Sequence, residues 1–189
     1  MEIIYIITYS YILGSIPFGL IYSNLLGYGD IRKIGSGNIG ATNALRSGSK
    51  LLAILTLLSD ILKGSLATFI TLKYFLDYVY LSALICYLAH IFPVWLKFKG
   101  GKGVATFIGV TLVLNPFSFL IFIISWLIIL KLFKISSLSA LCSFIVLLLF
   151  SLFYNELTET FFYFFFFVFS VFTHRENIQR LIMGNEKKL

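Results

Sequence analysis

Charge is scarce in this chain of 189 residues: eight Asp and Glu stand against fifteen Lys and Arg, and both signs together make up only 12%. With 59% hydrophobic residues and a mean hydropathy of +0.97, the chain exceeds the apolar content of soluble domains and belongs with polytopic membrane proteins. Cysteine and histidine occur twice each. Cys86 and Cys142 lie inside apolar stretches, far from a second thiol, a histidine pair or a C-x-x-C spacing, and read as buried structural thiols. The sequence offers no ligand cluster of the usual type, so neither a metal nor another cofactor is expected. No basic residue precedes the first apolar run, which is expected to be a retained helix and not a cleaved signal. The excess of seven positive charges does not call for nucleic acid, because basic residues also gather on cytoplasmic loops.

Against this hydrocarbon background one stretch stands apart: Gly35-Ser-Gly-Asn-Ile-Gly-Ala-Thr-Asn43. Glycine admits positive φ and close backbone approach, so successive N–H groups can converge on an anion. Arg32, Lys33, Arg46 and Lys50 flank the stretch and would neutralise a phosphate, with Asp30 opposing them. The spacing of Gly35, Gly37 and Gly40 matches Gly-x-Gly-x-x-Gly, but that motif has meaning only inside a βαβ unit, and here it lies between two runs of membrane length. The P-loop order is absent as well. The remaining readings are a phosphate-binding loop and an ordinary membrane loop whose charge is set by topology.

Residues 3–26 are long enough to span about 30 Å of hydrocarbon and contain Gly14-Ser-Ile-Pro-Phe-Gly19, either a helix contact or a shaper of the site. A second span, 51–75, carries Asp60 and Lys63 on one helical face, expected as a structural ion pair near the site. A third, 79–98, ends with His90, which either lines a cavity or packs. Trp95, Lys97 and Lys99 are interface anchors. A second glycine loop follows, Lys99-Gly-Gly-Lys-Gly-Val-Ala-Thr106.

Residues 104–114 are too short to cross, and Asn115-Pro116 breaks them from 117–130. If the chain turns back there, Lys73 is the one cation outside, with Lys63 in the membrane. Without the turn, Lys131, Lys134 and the cations after 173 move outside and the asymmetry vanishes. The turn is therefore expected, followed by segments 138–154 and 160–173. Ser136, Ser137 and Ser139 cap a helix or contact a ligand. In the tail His174, Asn177 and Leu181 share a helical face. The expected fold is an all-α polytopic membrane protein. It has about seven transmembrane or half-spanning helices, amino terminus out and carboxyl terminus in, and residues 1–189 form a single integral-membrane domain. This topology puts both glycine loops, the serines and the His174–Asn177 face on the cytoplasmic side, where one site open to lipid would suit a soluble phosphate and an acyl-bearing phosphate.

Taken together, the motifs Gly14-Ser-Ile-Pro-Phe-Gly19, the 35–43 loop, Asp60-x-x-Lys63-Gly64, His90-x-Phe-Pro93, the 99–106 loop and His174-Arg-x-Asn-Ile-x-Arg180 resemble the bacterial acyl-phosphate glycerol-3-phosphate acyltransferases, the PlsY family. The departures are Ala89, where glycine is expected, and Thr173, where a basic residue is expected. The resemblance implies transfer of an acyl group from acyl phosphate to the 1-hydroxyl of glycerol 3-phosphate, giving lysophosphatidate and phosphate for phospholipid synthesis in the bacterial inner membrane. It implies that Ser36, Arg46 and Lys102, with Gly101 beside the last, hold glycerol 3-phosphate, assisted by Ser137 or Ser139. His174 and Asn177, counted with Ser36 as catalytic, orient the glycerol and the carbonyl. The backbone of Gly37, Asn38 and Gly40 cradles acyl phosphate, with Thr42 and Asn43 as further donors. The expected partners are the two substrates, membrane lipid and the soluble enzyme that makes acyl phosphate. An acyl phosphate is already activated, so positioning and charge neutralisation suffice without a protein nucleophile. No Ser-His-Asp arrangement is evident, and no Asp follows either histidine at the five-residue spacing of the other large acyltransferase family. The competing class is a small transporter of an anionic solute, but no internal repeat supports it.

Overall fold

The computed structural model describes residues 1–154 and 156–189, and all regular structure among them is helical. The helices divide between two compact units, Met1–Leu114 and Asn115–Leu189.

The first unit begins with α1 (Glu2–Ser15) and α2 (Phe18–Leu25), broken at Ile16-Pro17. Proline has no N–H and pushes the residue before it out of the helical region, and Ile16 is extended at φ −64°, ψ 118°. A break in lipid leaves carbonyls that need donors. Trp95 Nε1 donates to Ser15 O at 2.8 Å, and Lys63 Nζ donates to Ile16 O at 2.9 Å. Gly14 and Gly19 flank the break because a Cβ on either would strike backbone, at Cys86 and Ile39 respectively. The stretch therefore serves close packing, and through Ile39 it touches the first glycine loop.

After the short α3 (Ala41–Leu45), α4 (Lys50–Tyr74) is the central element, packed on all of the unit's other helices, including α5 (Val79–Ile91) and α6 (Val104–Leu114). Gly64 meets the Thr106 carbonyl and Gly109 the Ile61 carbonyl, so α4 and α6 approach backbone to backbone, as small residues allow in membranes. Several of the buried hydroxyls find partners without water: Ser10 bonds Ser82 at 2.8 Å, Tyr9 bonds Thr71, and Thr56 and Thr68 donate to carbonyls one turn back.

In the second unit, α7 (Pro116–Phe133), α8 (Ser136–Tyr154) and α9 (Leu157–Thr173) pack in sequence, and α10 (Arg175–Ile182) leaves α9 at 64°. Asn115 caps α7 by accepting from Phe117 N and Ser118 N at 3.1 and 3.0 Å, ahead of a proline in the first turn. Its amide also donates to Glu159 Oε1 at 2.9 Å, and Tyr163 bonds the same carboxyl oxygen. Phenylalanines form the interior, with Phe122 edge-on to Phe144 at 4.9 Å, and others face outward, with Phe161 64% exposed.

Among the described residues five helical stretches are long and apolar enough to cross a membrane, and six if α9 and α10 count as one bent span. The seven apolar segments read from sequence correspond to α1 with α2, α4, α5 with its flanking turns, α6, α7, α8 and α9. α6 is the half-span, since 11 residues rise only about 16 Å. The break at Asn115-Pro116 lies where the sequence indicates. α3 was not anticipated, because five residues give no readable period.

Candidate active site

The 35–43 loop lies over an apolar cluster of Leu20, Ile31, Ile39, Ala44, Leu52 and Ala53. Asn43 organises it. This side chain is 1% exposed, accepts from Ser36 N at 2.7 Å and from Ser36 Oγ at 3.2 Å, and donates to Ile31 O and Asn38 O at 2.8 and 2.7 Å. Asn38 Oδ1 accepts from Gly40 N at 3.0 Å, and Gly37 N donates to Ile34 O at 3.0 Å. The N–H groups of Ser36, Gly37 and Gly40 thus already have partners inside the loop, which departs from a set of amides converging on an anion. The loop's curvature comes from Gly35 and Gly37, at φ 60° and 72°. Gly40 has ordinary φ and caps α3. Arg46 lies over Gly35, its Cδ 3.1 Å from where a Cβ would stand, and is half-buried with Ser36, Asn38 and Thr42 at the loop's surface.

Arg32 does not serve the loop. It grips Asp30 through Nε at 2.9 Å and the terminal nitrogen at 2.7 Å, and Asp30 also accepts from the Arg32 backbone. The side-chain hydrogen bonds foremost, then the backbone one, lower the Asp30 carboxyl to about 2.

The second glycine loop is built on α5. Gly100 N donates to Ile91 O at 2.9 Å and Gly101 N to His90 O at 3.1 Å. A Cβ on Gly101 would fall on His90 Nε2, and one on Gly103, at φ 83°, on the Tyr87 ring. Gly101 and Gly103 are buried, while Lys102 between them is half-buried. Leu96, in the turn before this loop, packs against the cluster under the first loop, so Ser36, Arg46 and Lys102 belong to the same end of the unit. Below the second loop lie Asp60 and Lys63, 2.8 Å apart and each 3% exposed, with His90 Nδ1 3.7 Å from Asp60 Oδ1. The expected ion pair is present, and His90 packs against Gly101.

In the second unit His174 stands at the bend between α9 and α10, 2% exposed. Its Nδ1 donates to Ser170 O at 2.8 Å, so in the neutral ring the basic lone pair is on Nε2. One turn on, Asn177 Nδ2 donates to Glu186 Oε1 at 2.6 Å. Ser137 Oγ donates to the same oxygen at 2.8 Å and Arg180 Nε to Oε2 at 2.6 Å. Burial alone would raise the Glu186 carboxyl, but the bonds from Arg180, Asn177 and Ser137 together hold it below its ordinary value. Glu186 therefore gathers Ser137 and Asn177, while Ser139 donates to Ile135 O within its own chain turn at 2.8 Å, the unremarkable use of a helical serine.

Sequence reasoning assigned Glu186 no role. The available signal was Gly184, at φ 70°, which ends α10 and reverses the chain so that a carboxylate two residues later returns to the helix.

A family model described as glycerol-3-phosphate acyltransferase matches residues 4–184. The glycerol-3-phosphate acyltransferase of Sinorhizobium medicae is 45% identical over 183 residues, covering 97% of this chain and 90% of that one. The Pelagibacter ubique enzyme of the same name is 52% identical over 126 residues, 67% of this chain and 66% of the other. The crystal structure of PlsY (YgiH), an integral membrane glycerol 3-phosphate acyltransferase, in its glycerol 3-phosphate form is similar with a TM-score of 0.93 at 34% identity, covering 100% of this chain and 96% of that one. Its lysophosphatidic acid form gives 0.91. With the match running from α1 to the turn after α10, this chain belongs to the glycerol-3-phosphate acyltransferase family.

Proposed function

We propose that the protein acylates the 1-hydroxyl of glycerol 3-phosphate from acyl phosphate, forming lysophosphatidate and inorganic phosphate, as one integral-membrane acyltransferase over residues 1–189. The reading places it in the bacterial inner membrane with amino terminus out, carboxyl terminus in and the site facing the cytoplasm. Relatives that carry the acyltransferase name support the acceptor and the product class. The observation that supports direct transfer from an activated acyl donor, the class to which acyl phosphate belongs, is the Ser36 hydroxyl, which donates to the Asn43 amide oxygen. An amide is no general base, so Ser36 is not an activated nucleophile, and the substrate must arrive activated.

In this reading Ser36, Arg46 and Lys102 hold glycerol 3-phosphate, the two cations neutralising its phosphate, with Gly101 setting the approach of Lys102 and Ser137 or Ser139 assisting. The segment of Gly37, Asn38 and Gly40, with Thr42 beside it, receives acyl phosphate on a frame held by Asn43, through close approach at the glycines and not through the Gly37 and Gly40 N–H groups already bonded within the loop. The glycerol hydroxyl oxygen attacks the acyl carbon, the bond from that carbon to the bridging phosphate oxygen breaks, and phosphate leaves. The hydroxyl proton passes to His174 Nε2 or to a phosphate oxygen of the substrate, while the Asn177 amide orients the carbonyl. Membrane lipid surrounds the protein, and the soluble enzyme that makes acyl phosphate is its supplier.

Purified protein is given palmitoyl phosphate or palmitoyl-CoA with labelled glycerol 3-phosphate, beside a Lys102→Ala control. The expected result is lysophosphatidate from the acyl phosphate alone, lost in the variant. Product from the CoA ester alone overturns the donor, and no product from either with folded protein overturns the reaction in favour of solute transport.

A further inference from the structure

The mechanism leaves one buried polar assembly unused. His90 is 5% exposed, and its Nδ1 faces Asp60 Oδ1 at 3.7 Å, too long for a hydrogen bond but close enough for the carboxylate to orient the ring dipole. His90 Nδ1 has no hydrogen-bond partner among the described residues, and the Asp60 oxygen it faces is the one paired with Lys63. Asp60 is held in turn by Lys63 Nζ at 2.8 Å, and Lys63 also donates to Ile16 O at the α1–α2 break and lies 5.8 Å from the Phe18 ring centre. The opposite edge of the imidazole, at Nε2, occupies the space where Gly101 would carry a Cβ, and Gly101 N donates to the His90 carbonyl. A phenyl ring would fill this space without the desolvation cost of an imidazole. What the imidazole adds is a fixed rotation, set from below by Asp60 and presented above to Gly101.

We propose that His90, seated on the buried Asp60–Lys63 pair, is a positioning residue that sets the Gly100-Gly101 turn and so delivers the Lys102 ammonium to the phosphate of glycerol 3-phosphate. The inference rests on the reading of Lys102 as a phosphate ligand. His90 touches no substrate. Its effect is confined to affinity for the soluble substrate, and it acts only while Lys102 is present.

The test compares wild type, His90→Phe, Lys102→Ala and the double variant, by KM for each substrate, kcat, and equilibrium binding of labelled glycerol 3-phosphate, which reads affinity even where turnover is lost. In His90→Phe the KM and dissociation constant for glycerol 3-phosphate rise about tenfold, with kcat and the KM for the acyl donor within about threefold of wild type. His90→Gln, which restores a polar group near Gly101, recovers part of the loss and replaces His90→Phe if that variant does not stay folded in detergent. The double variant binds no more weakly than Lys102→Ala, since residues acting through one contact are not additive. Equal changes for both substrates, a loss confined to kcat, or an additive double variant overturns the inference. If Lys102→Ala weakens binding and His90→Phe does not, the inference alone fails. If Lys102→Ala leaves binding unchanged, the reading of Lys102 fails and the inference with it.

Discussion

In the 35–43 loop the glycines lie at the surface and a buried asparagine holds the turn from inside; in the 100–103 loop Gly101 and Gly103 are themselves buried and the turn leans on α5. The compositions are alike, but at Gly37 the first loop uses glycine for its positive φ, Gly35 adds a close approach to the Asn43 amide oxygen, and Gly101 in the second is required by close approach to His90. The first is thus sensitive around its polar organiser and tolerant at its rim, where Gly37 lies. The second is sensitive at the glycine itself. Gly101→Ala tests this most severely, because its Cβ would enter the ring of a buried histidine that has nowhere to go. The expected cost is about 3 kcal/mol or more, read as a fall in melting temperature of the detergent-solubilised protein. Gly37→Ala, where the nearest atom is the Arg32 carbonyl at 3.5 Å, is expected to cost about 1 kcal/mol, from φ alone. Equal losses at the two positions would erase the distinction.

Asn43→Ala is the matching test of the first loop. It removes the acceptor of Ser36 N and the donor to Ile31 O and Asn38 O, for a loss of about 2–3 kcal/mol. Asn43→Asp separates the two halves of the amide. The carboxylate still accepts from Ser36 but faces the Ile31 and Asn38 carbonyls without a donor, so a variant as stable as wild type would show that the Ser36 side alone matters.

The helices were legible because lipid demands about 20 apolar residues per crossing, a signal that survives in the string without knowledge of packing. The ion pair of Asp60 and Lys63 was legible too, since three residues apart on a helix they share a face and a buried charge needs its counter-charge. The loops were only half legible. Composition marked them, but which atom satisfies Ser36 N, or that Arg32 turns to Asp30, depends on backbone angles that glycine leaves open. Glu186 was hidden for another reason: it meets Ser137 across 49 positions, and no local pattern encodes a contact at that range.

The second unit extends the contrast, because there the organiser carries charge. Replacing Glu186 by Gln keeps the shape but puts an amide opposite Arg180, and Asn177 and Ser137 lose a charged acceptor worth about 1–2 kcal/mol. A kcat loss larger than the stability loss is expected if Asn177 acts on the carbonyl, and an unchanged kcat would place Asn177 outside the reaction. The folded carboxyl lies below its ordinary value of 4.5. Its contribution is therefore complete above that value and fades as pH falls through the lower folded one. Wild type should lose this advantage over Glu186→Gln only on the acid side of pH 4.5.

Asp30 and Arg32 form the weakest arrangement, and they show why a strong pKa shift need not mean a strong fold. Asp30 is lowered from 3.8 to about 2, so its contribution is complete above pH 3.8 and is lost as pH falls toward 2. The Arg32 side chain, however, is 42% exposed, and screening by water discounts the pair. Asp30→Asn is expected to cost less than about 1 kcal/mol at neutral pH, a difference that shrinks further in high salt. The variant also frees the Arg32 guanidinium beside the 35–43 loop, so affinity for an anionic substrate should stay level or rise slightly. A large loss of stability or affinity in Asp30→Asn would mean that this pair shapes the loop as Asn43 does, and the division between polar organiser and tolerant rim would have to be redrawn.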